Sequence, residues 1–88
     1  MAEFQILYWR DIPAQVRVFD GRKPLSKKMS ERFQETIDQV AMEEGLEGSD
    51  EYLDLWSWTD RQEREGDAQE LLDLLVSELE VEFDSRDS

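Results

Sequence analysis

Cysteine and histidine are both absent from this 88-residue chain. Without thiols there is no disulfide, no thiolate nucleophile and no zinc site of the usual Cys/His kind. Without imidazole the commonest acid–base catalyst is missing. Absence of cysteine also fits a reducing compartment, so the cytoplasm is the expected location. The N-terminus, MAEFQILYW, lacks a basic n-region, and its apolar run is far too short for a signal peptide or a membrane span. There is no glycine-rich phosphate loop, no G-x-S-x-G elbow and no EF-hand spacing. Carboxylates at Glu47, Asp50, Glu51 and Asp54 read as a solvated helix face. Abundant carboxylates do not by themselves make a tuned acid–base pair, which needs a pocket to shift its pKa values. The expectation is a non-enzyme with no cofactor and no metal.

Positive charge is scarce and unevenly placed. Lys and Arg number 10 against 23 Asp and Glu, a net charge of −13. Residues 1–34 hold seven bases and four acids (+3), and the remainder holds three bases and 19 acids (−16). Such an acidic field repels nucleic acid and anionic lipid, so the basic run at 22–32 makes a poor nucleic-acid site. The acidity serves solubility or adaptation to salty surroundings, or it selects a partner with a basic surface.

What the chain does contain is enough to fold. Eighty-eight residues allow one domain, residues 1–88, with a thin core. Three tryptophans and clear periodicity argue against disorder. In the stretch FQILYWRDIPAQVRVFDG (4–21), Phe4, Ile6 and Tyr8 alternate with Gln5, Leu7 and Trp9, and Ala14, Val16 and Val18 alternate with Gln15, Arg17 and Phe19. Period 2 means strand, so a β-hairpin over about 3–20 is expected, connected by Arg10-Asp11-Ile12-Pro13 and closed by Asp20-Gly21. Residues 22–29 read as a basic connector. Ser30 then offers an N-cap, Phe33, Ile37, Val40 and Ala41 one helical stripe, and Gly45 with Leu46 a stop. Ser49-Asp50-Glu51 starts a short helical turn, Trp56 and Trp58 mark a third strand, and Asp67 to Glu70 offers a capping box for a last helix. That helix carries Leu71, Leu72, Leu75, Val76 and Leu79, and residues 84–88 read as a frayed tail. The expected fold is α+β, in the order β-β-α-(short α)-β-α. It has a mostly antiparallel sheet of about three strands and two helices on one face.

With both helices on one side, Phe4, Ile6, Tyr8, Val16 and Val18 build the core. Leu7, Trp9 and Phe19 are left on an uncovered face, joined by the third-strand tryptophans. Exposed rings of this kind mark docking surfaces. The expected partner-binding set is Tyr8, Trp9, Arg10, Asp11, Ile12, Pro13, Phe19, Trp56 and Trp58. The face could also pair two copies of the chain. The plainer alternative has Trp56 and Trp58 capping the core edge and Trp9 covered by the 22–29 connector. A second function class is an anionic-ligand domain using Arg10, Arg17 and Arg61, since guanidinium groups beside rings can grip carboxylate or phosphate. A third is an acidic nucleic-acid mimic presenting the carboxylates of 43–54 and 60–84.

The string YWRDIPAQV (8–16), with ERFQETIDQVAMEEGLEGSDEYLDLWSW (31–58) and QEREGDAQELLDLLVSELE (62–80), resembles a small bacterial family, the virulence factor domain. Its members occur free-standing, and also attached to HEAT-like repeats in a staphylococcal conserved virulence factor. The family name records a phenotype, and no catalytic residues carry over. The resemblance implies an adaptor or accessory subunit, linked to virulence regulation or to partners in folate- and corrinoid-dependent one-carbon metabolism.

Overall fold

A computed structural model describes residues 2–19, 21 and 23–86. Asp20, expected to help close the second strand, Arg22 of the connector, and Asp87 and Ser88 of the tail lie outside the described residues. Among those described, the elements run β1 (Ala2–Trp9), β2 (Ile12–Phe19), β3 (Pro24–Lys28), α1 (Glu31–Glu43), α2 (Asp50–Asp54), β4 (Trp56–Trp58), β5 (Gln62–Arg64) and α3 (Ala68–Arg86). The α+β class and antiparallel pairing agree with the sequence, but the sheet has five strands and there are three helices. No helix among the described residues is long and apolar enough to cross a membrane.

The hairpin is tighter than its sequence suggested. Trp9 pairs directly with Ile12, so Arg10 and Asp11 alone make the turn. Two-residue hairpin loops favour positive φ at the first position, and Arg10 takes φ 58. Ile12 and Pro13 therefore belong to β2. Pro13 is tolerated there because the register skips Ala14, a bulge, and because β3 pairs β2 only from Gln15 to Phe19.

Two strands were not expected. The connector's PLSKK becomes β3, in which only Leu25 packs against the core. QER becomes β5, which holds the free edge of β1 opposite Ala2, Glu3 and Phe4. The segments β4 and β5 run along one edge of β1 as a broken strand, three residues facing two between Trp58 and Gln62. Thr59 fills the break: its N–H donates to the Ile6 carbonyl and its hydroxyl oxygen accepts from the Ile6 N–H, both at 3.0 Å. Gln5 Nε2 donates to the Thr59 carbonyl, also at 3.0 Å.

The helices follow their sequence signals closely. Ser30 caps α1 with extended backbone, although its side chain makes no cap bond. At the other end Gly45 takes φ 67, its N–H donates to Met42 at 3.2 Å, and Leu46 N–H donates to Ala41 at 2.8 Å. This is a Schellman stop with Leu46 buried behind it. Ser49 Oγ accepts from Tyr52 N–H at the start of α2. In α3 the expected stripe is buried, and the helix continues through Asp84 to Arg86 where a frayed tail was expected. Arg32 pairs with Asp84 and holds its carboxyl below the ordinary value by a direct hydrogen bond.

The core lies between the helices and one face of the hairpin. Phe4, Ile6, Val16 and Val18 meet Phe33 and Ile37 of α1 and Leu71, Leu72, Leu75 and Val76 of α3 in one buried cluster. Phe33 and Phe83 bring the two helices together at 4.2 Å between ring centres. Polar straps reinforce the edges: Lys27 reaches Asp73, and Arg64 forks onto Glu78 with bonds of 2.8 and 3.3 Å.

Candidate functional site: the open part of the second sheet face

The face of the hairpin turned away from Ile6 and Tyr8 divides in two. Strand alternation places Leu7 and Trp9 on the same side of β1. Trp9 is nevertheless 0% exposed. Its indole N–H donates to the Tyr52 carbonyl at 3.1 Å, and its ring lies 5.6 Å from that of Tyr52. Tyr52 meets Trp56 edge-on at 6.2 Å, and Arg10 N–H donates to the Leu55 carbonyl at 3.2 Å. The chain from Leu46 to Trp56 thus closes over the turn end of the hairpin. The expectation that Trp9 is an exposed anchor is corrected. So is its proposed cover, because residues 24–28 pair on the far side of β2.

Beyond Trp9 the face is open. Leu7, Phe19 and Trp58 are half-buried and stand outside the core cluster, whereas Trp56 packs against it. Register aligns Leu7 with Trp58 on one side and Gln15 on the other, and Arg17 with Gln5 and Ser26. Arg17 is drawn across the sheet to Trp58, its guanidinium carbon 4.1 Å from the ring centre, with Phe19 at 5.9 Å. Arg61 lies 4.1 Å over Phe19. The result is an alternating run of Trp58, Arg17, Phe19 and Arg61. Each contact combines quadrupole attraction with coverage of apolar ring surface.

The electrostatics of this run are unusual for so acidic a chain. Arg10, Arg32 and Arg64 each hydrogen-bond a carboxylate: Glu44, Asp84 and Glu78. Arg61 approaches Glu3 at 3.7 Å, beyond hydrogen-bond reach. The Arg17 side chain makes no ion pair and no hydrogen bond among the described residues; its contacts there are the two rings. Its five guanidinium N–H donors are thus unconsumed among the described residues.

The sequence-based candidates therefore scatter. Trp9, Ile12 and Pro13 are buried, and Tyr8 and Trp56 pack against the core. Arg10 and Asp11 form the exposed turn. Phe19 and Trp58 reach the open face. The trio Arg10, Arg17 and Arg61 does not converge. Gln5, opposite Arg17, is five strand positions from Arg10, about 16 Å. Arg17 and Arg61 do share a neighbour, the Phe19 ring, at 5.9 and 4.1 Å. Ser26 and Lys28 of β3 also belong to this face and carry no sequence signal for it, because RKPLSKKM has one aliphatic residue, Leu25, between its proline and the lysines that follow and shows no alternation.

In a comparison with protein families, the profile of the family described as Virulence factor covers residues 7–87. Comparison with curated proteins and with solved structures gave no significant match.

Proposed function

The chain belongs to the virulence factor family, and from that premise we propose that it is a non-catalytic accessory module docking on a larger protein. The observation that carries this reading is the open part of the sheet face, where Leu7, Phe19 and Trp58 stay outside the core. Aromatic rings and arginine are the side chains most enriched at binding hot spots, and rigid strands hold them without loop entropy. The chemistry gathered there is stacking, hydrogen-bond donation and apolar contact, which suits recognition. Arg10, Asp11 and the buried Trp9 are not part of the proposed surface.

A photoreactive phenylalanine analogue in place of Gln15, on this face opposite Leu7, tests the reading in the cell that produces the protein. A discrete adduct to one protein is expected from position 15 and none from a control at Glu70, exposed in the first turn of α3. Equal labelling from both positions, or no adduct from either, would overturn it.

A further inference from the structure

We infer that the partner meets Arg17 with the carboxylates of an acidic protein surface. This rests on the docking reading above and adds the chemistry of the partner. The chain's net charge points the other way, since −13 would favour a basic partner. Net charge describes the far field, however, and the docking face has its own charge. Arg17, Arg61 and Lys28 share it with two carboxylates, Glu3, which already leans on Arg61, and Glu63, the register partner of Glu3 on β5, so bases still outnumber acids there.

Arg17 is the central basic group of this face. Acids outnumber bases by 23 to 10 in this sequence, and other arginines take the carboxylates within reach. Arg17 instead rests on Trp58 and beside Phe19 with no acceptor among the described residues. Held against the two rings, the side chain has less freedom left to lose when a planar acceptor arrives. A forked pair to a carboxylate uses two of the N–H donors that no described residue takes.

Three kinds of anion could answer this geometry, and the surroundings select one. A small ligand needs a concave site that encloses most of its surface, whereas Arg17 stands on a sheet face beside residues spaced in register. Nucleic acid would bring a dense row of phosphates against a chain of net −13. Carboxylates on a protein satisfy Arg17 locally, while the partner's apolar residues cover Leu7 and the exposed edges of Phe19 and Trp58.

The test uses the full chain with the photoreactive group at position 15, in four backgrounds: Arg17 retained, Arg17→Met, Arg17→Glu, and Lys23→Glu as a charge-matched control. Adduct yield should fall about tenfold or more in both Arg17 variants and stay near the parent level in Lys23→Glu. Melting temperatures within a few degrees of the parent establish that the variants are folded. Parent-level yield in Arg17→Met would overturn the carboxylate inference and leave the docking reading standing. Equal loss in Lys23→Glu would assign the effect to general charge and also overturn it. An adduct to nucleic acid, or to a second copy of the chain, would overturn the partner class. No adduct in any background would remove the docking reading itself.

Discussion

Trp9 and Trp58 lie on the same side of one sheet, two strand positions apart in register, and have opposite fates. Trp9 is sealed by the Leu46–Trp56 segment and gives its indole proton to Tyr52. Trp58 remains half-exposed and supports a guanidinium. Neither difference comes from the ring or from the strand pattern. It comes from where the chain returns after α1: the Gly45 stop turns it back over the hairpin tip, and the cover ends where β4 begins. A single face can thus be core at one end and recognition surface at the other.

The largest expected effect breaks the covered end. Trp9→Ala should destabilise the fold by about 3–5 kcal/mol, since it empties a fully enclosed site. At about 4–8 °C per kcal/mol for a domain of this size, melting should fall by roughly 15–30 °C. Trp9→Phe keeps much of the apolar area but leaves the Tyr52 carbonyl without its donor, so thermal unfolding should show an intermediate loss. A Trp9→Ala protein that melts like the parent would dissolve the distinction between the two ends.

Thr59 separates β4 from β5. Thr59→Val preserves shape but removes the oxygen that accepts from Ile6 N–H, at an expected cost of about 1–3 kcal/mol. Hydrogen exchange adds a local readout: the Ile6 amide should lose protection more than the amides of α3 do. Uniform protection changes would assign the effect to global stability alone.

The smallest effect on folding belongs to the open end. Trp58→Ala gives up a partly desolvated cation–π contact and little enclosed volume, about 1 kcal/mol or less by urea unfolding. Its consequence should instead appear in docking, because Arg17 loses its main platform. Loss of stability comparable with that of Trp9→Ala would make Trp58 part of the core.

Legibility in the sequence followed the strength of local patterns. The alternation in residues 4–19 assigned the hairpin and separated Ile6 and Val16 from Leu7 and Phe19. Gly45 followed by Leu46 marked the end of α1 down to its two terminal hydrogen bonds. The two missed strands lack such a pattern. Leu25 is the single core contact of β3, and β5 has no apolar residue at all, so both exist because a neighbouring strand offers a free edge. Edge strands of this kind, short and bearing lysine or glutamate, also resist unwanted pairing.

The candidate site was half legible for the same reason. Parity identified Arg17, Phe19 and Trp58 as sharing a face, and composition marked Arg61 as a candidate. What parity could not express was distance and company. Composition groups Arg10 with Arg17, but the hairpin holds them about five strand positions apart; parity groups Trp9 with Trp58, but the Leu46–Trp56 segment covers Trp9.

The sequence by itself determined the family, the α+β class, the two-faced hairpin and the end of α1 at Gly45. These depend on residue periodicity, terminal chemistry and a specific string, all local properties of the chain. Tertiary structure alone decided which part of the second face stays open and which arginine stays without a carboxylate among the described residues. Both are set by contacts between residues more than thirty positions apart, such as Trp9 with Tyr52 and Arg17 with Trp58. Burial and charge pairing belong to neighbours in space, and those neighbours exist only once the chain has folded.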